Sequence, residues 1–197
     1  MANVLDVANL FLNLAEEQAN NDLGDLMTDM KLQKMLYFAQ CWHLVRHGEP
    51  LFDNKIEAWK HGPVVPEAYQ HYKHNGWNPI LSQPVHYEAF TADELETILD
   101  VFHYYGRFSA SGLRELSHKE GTPWSQVYQE DAKHIEIMRE LLKDYYSQQQ
   151  PLETFKDRLN RKILDGNITV TVPRRDAEHA AILPADEYED WGENDDD

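Results

Sequence analysis

The chain has 197 residues, 42% of them apolar, and a formal net charge of −17 at pH 7. That length suits one domain with an appendage, and that apolar content can fill a real core. No apolar run approaches the ~20 residues a membrane helix needs, and no basic stripe is present to neutralise phosphate backbones.

The charge is unevenly spread. Asp176 to Asp197 holds ten acidic residues and no Lys or Arg. A chain so charged is suited to meeting a basic protein rather than nucleic acid. No basic region followed by an apolar block opens the chain, and the single cysteine, Cys41, cannot pair within it. Both features lead to the expectation of a reducing cytoplasm and no secretory signal. Cys41 reads as a small buried hydrophobe.

In chain order, a first helix is expected from Asn3 to Asn20, with Leu5, Ala8, Leu12 and Ala15 on one face. The cluster Asn20 to Gly24 is a turn. Thr28 is placed to cap a second helix that runs to His47, with Gly48 in the left-handed terminating position. Leu32, Met35, Leu36, Ala39, Trp42 and Arg46 form its buried stripe. A β-prone run, Ile56 to Trp59, lies in a small β element at about 52–60. Gly62-Pro63 stops it, and a helix restarts near Val64–Val65, burying Val65, Ala68, Tyr69 and Tyr72.

Residues 77–90 read as loop. Thr91-Ala92-Asp93-Glu94 is a capping box opening a helix through Leu95, Ile98, Leu99 and Phe102, which stops at Gly106. Ser109 caps a short helix to His118, and Thr122-Pro123 opens a further turn. A longer helix is expected from Ala132 to Tyr146, burying Ile135, Met138, Leu142 and Tyr145. The predicted core combines Leu12, Leu32, Leu36, Trp42, Trp59, Tyr69, Leu99, Phe102, Leu116, Trp124 and Ile135.

After Gln148-Gln149-Gln150-Pro151 the character changes. Leu152, Phe155, Leu159 and Ile163 suit one more amphipathic helix. Ile168 to Val172 alternates apolar and polar residues, as a half-buried strand does. Its partner is either the strand at 56–59 or a sheet edge in another protein. From Pro184 the chain is too acidic to fold alone.

Catalytic and metal signals are sparse. His43 and His47 are four apart on one helix, and His71 and His74 three apart on another, but no third ligand stands at a defined offset. There is no GxGxxG, Gly-rich phosphate loop or GxSxG. His118, Glu120, Pro123 and Trp124 read as a packing and capping corner. The expectation is a protein without catalytic residues, metal or cofactor.

The window from Lys31 to Tyr72 is the most specific. It reads KLQKMLYFAQCWHL, then a turn at Gly48, then IEAWKHGPVVPEAYQHY. That order of helix, turn, short strand, Gly-Pro and helix, with these residue types, resembles the Panacea or SocA-like family of bacterial and phage antitoxin domains. The resemblance continues more weakly through Tyr105-Gly106, Leu113 to His118 and Pro123-Trp124, and fades near residue 145. It implies a mainly α-helical, compact multi-helix domain over residues 1–147. Residues 148–197 are then a C-terminal extension with a helix, one strand and an acidic tail.

The resemblance also implies function. It points to a non-enzymatic antitoxin that neutralises a cognate toxin by direct protein–protein binding, whether in a bacterium or a phage. A toxin acting on RNA or nucleotides presents a basic groove, which the acidic tail suits. Two alternatives stay open: a proteolytic adaptor delivering the toxin to a protease, and a phage-encoded inhibitor of a host factor whose tail mimics nucleic acid. The partner-binding candidates are Trp59, Lys60, His61, Gly62, Pro63 and Val64 at the Gly-Pro corner. In the extension they are Ile168, Val170, Val172, Tyr188 and Trp191.

Overall fold

A computed structural model describes residues 1–21 and 24–164 of the chain. Among them are eight α-helices and a two-stranded hairpin. The helices are α1 (Val4–Asn20), α2 (Asp29–His47), α3 (Pro66–Tyr72), α4 (Ala92–Tyr105), α5 (Ala110–His118), α6 (Pro123–Val127), α7 (Arg139–Tyr146) and α8 (Phe155–Leu164). The hairpin pairs β1 (Glu57–Trp59) with β2 (Gly62–Val64). The expected strand at Ile168–Val172 lies outside the described residues.

Everything is built around α2. Fifteen of its nineteen residues are buried, so it is covered on every face by α1, α3, α4, α5, α7 and β2. The expected stripe is one of two. Met30, Tyr37, Phe38, Cys41 and Leu44 form a second apolar face, also buried. A helix enclosed all round belongs in a core. Arg46, assigned to the stripe, is only half-buried, and its guanidinium pairs with the Asp100 carboxylate of α4 at 2.9 Å.

Burying α2 completely buries polar groups that need partners. The Gln40 amide accepts from the Leu51 and Phe52 backbone N–H groups and donates to the Phe52 carbonyl, all at 2.9–3.2 Å. Gln33 accepts from the Val65 N–H at 2.9 Å and donates to Asp29 at 2.9 Å. The Trp42 indole donates to the Tyr105 hydroxyl at 3.0 Å, and Phe38 stacks on the Tyr105 ring. Cys41 is fully buried, and burial holds its thiol far above the usual range. It is a core residue, not a reactive thiolate.

Local signals set several boundaries. The Thr91 hydroxyl accepts from the Glu94 N–H and the Glu94 carboxylate accepts from the Thr91 N–H, completing the capping box. Ser109 and Thr122 cap α5 and α6. Gly48 ends α2 at φ 78°. Thr28 stands at the start of α2, but its side chain makes no capping bond.

Four expectations are corrected. The helix expected from Ala132 covers only Arg139–Tyr146. His134 takes a positive φ of 58°, and residues 135–137 run extended against β1. The Ala58 N–H donates to the Ile135 carbonyl and the Ile137 N–H to the Ile56 carbonyl, each at 2.8 Å. That pairing outweighs the local helical pattern, so Met138 is 55% exposed and Ile137 is buried in place of Ile135. Second, the expected core is loosened at three places. Leu99 is 43% exposed on the outer face of α4, and Leu116 and Ile135 are only half-buried. Third, the β element is a hairpin over Glu57–Val64, and Gly62-Pro63 lies inside β2 rather than after the last strand. Helix α3 therefore starts at Pro66. Fourth, α8 exposes Phe155 and Leu159, while Leu152, just before it, joins the main core.

The segment leading into α8 is held by one buried carboxylate. Asp100, fully buried, accepts from Arg46, from Arg158 of α8 and from the Phe155 N–H at 2.8–3.0 Å.

Leu36→Ala is expected to cost about 2–5 kcal/mol, because a fully buried side chain leaves a cavity that closes only in part. Leu99→Ala is expected to cost well under 1 kcal/mol, as surface changes do. Chemical denaturation of the two variants checks the contrast.

Candidate functional site

The hairpin is the part of the fold that brings chemically active side chains together. Its turn is Lys60-His61. Trp59 pairs with Gly62, Ala58 with Pro63 and Glu57 with Val64. Gly62 sits at φ 109°, a region that side chains rarely adopt. Pro63 has no N–H to give, and its position needs none. The opposing Ala58 spends its own N–H on Ile135, so Ala58–Pro63 is a non-hydrogen-bonded pair.

Two other elements close on the turn. Lys34 of α2 is fully buried and donates from Nζ to the Pro63 carbonyl at 3.2 Å. From α5, the His118 Nδ1 lies 2.7 Å from the Arg114 carbonyl and its Nε2 lies 3.3 Å from the Lys60 carbonyl. A neutral ring has one N–H, and the shorter contact takes it at Nδ1. The Trp124 indole donates to the Trp59 carbonyl at 2.8 Å, and His118 lies against the Trp124 ring. The packing corner read at His118 and Trp124 thus holds the base of the hairpin. A Cβ on Gly62 would stand 2.7 Å from Lys34 Cε and 3.0 Å from His118 Cε1. Only glycine lets these two side chains reach the turn.

The electrostatics are unusual for so acidic a chain. Burial lowers the Lys34 ammonium to about 7. Asp29 opposes that shift and Arg114 adds to it. Burial also lowers His61 to about 4, with Arg114, Lys34 and Lys60 pushing the same way. His118 falls to about 4 for the same first reason. Lys34, His61 and His118, with Arg114 acting on each, therefore form one niche of suppressed charge, with exposed Lys60 at its edge. Displaced ionisation of this kind gathers at functional sites.

The far edge of the hairpin is tied down differently. Glu57 is 1% exposed. Burial opposes its ionisation, but hydrogen bonds from Lys55, Trp59 and His134 hold the carboxyl below the usual range.

Of the six residues expected to contact a partner, Trp59, His61, Gly62, Pro63 and Val64 are buried and only Lys60 is exposed. The five in the extension, Ile168, Val170, Val172, Tyr188 and Trp191, lie outside the described residues. Lys34 and Arg114 were not singled out from the sequence. The signal was there for Lys34: its spacing from Met30, Tyr37, Cys41 and Leu44 puts it on the second apolar face of α2. Nothing local marked Arg114. His43, expected to be exposed or capping, is buried and faces Thr97, whose hydroxyl donates to the Asp93 carbonyl. His43 Nδ1 is therefore the donor between them. Among the described residues no three His, Cys, Asp or Glu side chains gather to hold a metal ion. No helix among them is long and apolar enough to cross a membrane.

Comparison with known proteins bears on this same region. The family model "Antitoxin SocA-like, Panacea domain" matches residues 32–125, from α2 through the hairpin to α6. Antitoxin SocA of Caulobacter vibrioides (strain NA1000 / CB15N) is 35% identical over 132 residues, spanning 61% of this chain and 68% of that protein. This chain belongs to the SocA-like, Panacea-domain antitoxin family. Membership implies an antitoxin role and a toxin partner. No solved structure matches the chain.

Gly62→Ala is expected to destabilise the fold by more than about 1 kcal/mol, from backbone strain and the contact with Lys34. A thermal melt against the parent chain reads this.

The histidines give a second expectation. His43 and His61 are each 5% exposed, and burial holds both near 4 against an ordinary value of 6.5. Folded they stay neutral where unfolded they charge. Their contribution is complete above pH 6.5 and is lost as pH falls toward 4. His118 acts in the same direction. Unfolding free energy is expected to drop between pH 6.5 and 5 by about 1.4 kcal/mol per pH unit for each such histidine. Urea titrations across that window check it, and a flat profile refutes it.

Proposed function

We propose that this protein is a non-enzymatic, cytoplasmic antitoxin that neutralises a cognate protein toxin by direct binding. The observation that carries the reading is the likeness to Antitoxin SocA, whose matched family segment contains the whole hairpin site. The site adds physical support. The hairpin is anchored at its base by the Trp124 indole and along its outer edge by Glu57 and residues 135–137.

In this reading residues 1–147 are the antitoxin domain, and the hairpin from Trp59 to Val64 belongs to the toxin-facing surface. The buried members fix its shape while Lys60 meets the partner. Residues 148–197 supply specificity. Ile168, Val170 and Val172 are apolar contacts, and the acids around Tyr188 and Trp191 are steering charges for a basic toxin that acts on RNA or nucleotides. No step requires nucleic acid, a membrane or a cofactor.

The test is co-expression with the toxin encoded beside the antitoxin gene. The full chain is expected to restore growth, to co-purify with the toxin, and to leave the toxin's half-life unchanged. Rescue accompanied by rapid loss of the toxin would make the protein a proteolytic adaptor instead. A chain ending at Leu164 tests the extension. It keeps Leu152 in the core and the Arg158–Asp100 pair, which an earlier cut would remove. It is expected to bind the toxin more weakly, with the difference shrinking as salt rises.

A further inference from the structure

The sheet does not end at β1. Residues 135–137 lie beside it as a third extended segment, and that segment has an outer edge of its own. The Ile135 carbonyl and the Ile137 N–H face β1, where they meet the Ala58 N–H and the Ile56 carbonyl at 2.8 Å. Backbone polar groups alternate sides along a strand, so the Glu136 N–H and carbonyl and the Met138 N–H face away from β1. Among the described residues none of these three groups has a hydrogen-bond partner. Glu136 and Met138 are exposed, Ile135 is half-buried and Ile137 is buried. This is an open edge with one polar and one apolar face, and unpaired edge groups of this kind template another strand.

Charge on the polar face selects the occupant. Glu57 and Glu136 stand directly opposite each other, and as a non-hydrogen-bonded pair their Cα atoms are about 4.5 Å apart. Like charges so placed repel. The donors nearby are spent on Glu57: the Lys55 ammonium binds it at 2.5 Å, the Trp59 indole at 2.9 Å and the His134 ring at 3.0 Å. Glu136 has no hydrogen bond among the described residues and acts on Lys55 only through its charge. A second copy of the chain does not suit the edge, because antiparallel pairing centred on Glu136 sets two glutamates face to face.

We propose that the outer edge at Glu136–Met138 is a strand-addition site, and that its occupant is an extended segment of the toxin with a lysine or arginine opposite Glu136 and apolar residues on either side of that cation. The cation ends the row Glu57–Glu136 on the polar face. Its two neighbours point to the other face, beside Ile135 and Ile137. The edge is short, so backbone pairing sets the register and the charge sets the choice of partner. The proposal rests on the reading of this protein as an antitoxin, and it puts a toxin contact one strand outward from β1.

Residue-resolved hydrogen exchange on the full chain, alone and mixed with the toxin encoded beside the antitoxin gene, tests this. In the free chain the Glu136 and Met138 amides are expected to exchange quickly, while those of Ala58 and Ile137 are protected. Toxin is expected to slow Glu136 and Met138 by at least about tenfold. Glu136→Lys supplies a second arm. It relieves the opposition to Glu57, so it is expected to melt no lower than the parent chain. It is nevertheless expected to bind the toxin about tenfold more weakly at low salt, with the gap closing as salt rises. If the parent neutralises the toxin while Glu136 and Met138 stay fast, the proposal fails and the antitoxin reading stands. Amides already slow in the free chain, slowing that grows with the chain's own concentration, or undiminished binding by Glu136→Lys also overturn it. A parent chain that neither binds nor neutralises the toxin overturns both readings.

Discussion

Complete burial of α2 is the constraint on which the rest of the molecule depends. A helix enclosed by six other elements must find an internal partner for each polar side chain it carries. Gln40 does so by binding the backbone of Leu51 and Phe52, which fixes the path of the loop leaving α2. Gln33 binds the Val65 N–H, and Lys34 the Pro63 carbonyl, one on each side of Val64. The hairpin is therefore held by α2 from below, by the Trp124 indole of α6 from one side, and by residues 135–137 along its outer edge. Its shape follows from what the core helix needs, and of Trp59 to Val64 only Lys60 is exposed.

The same constraint explains the charge anomaly. A buried ammonium is expensive, and an apolar residue of similar volume at position 34 would serve packing as well or better. The chain instead keeps a lysine there, beside an arginine and two neutral imidazoles, next to a glycine that makes room for them. Packing alone does not account for that arrangement, which sits within the segment that matches the SocA-like, Panacea-domain antitoxin family.

The sequence disclosed what is local. Capping at Thr91, Ser109 and Thr122 and the left-handed Gly48 depend on residues three or four apart, and each stands where the pattern put it. The first face of α2 was visible for the same reason. Its second face was not weighed, and so the burial of Lys34 was missed. The extended run 135–137 was hidden because its cause is a backbone pairing with residues almost eighty positions away. Leu99 was misplaced in the core because α4 has more apolar residues than its inner face can cover. The hairpin itself was half legible. Gly62-Pro63 signalled a special geometry, but a strand pairing through a proline shows itself only once the neighbouring donor has another acceptor.

Whether α2's polar side chains position the hairpin can be measured directly. Gln33→Met keeps the volume and removes the bonds to Val65 and Asp29. Residue-resolved hydrogen exchange on this variant is predicted to show faster exchange confined to residues 57–65, with α4 and α7 as protected as in the parent. Unchanged protection at 57–65, or loosening spread evenly through α4 and α7, would contradict the account.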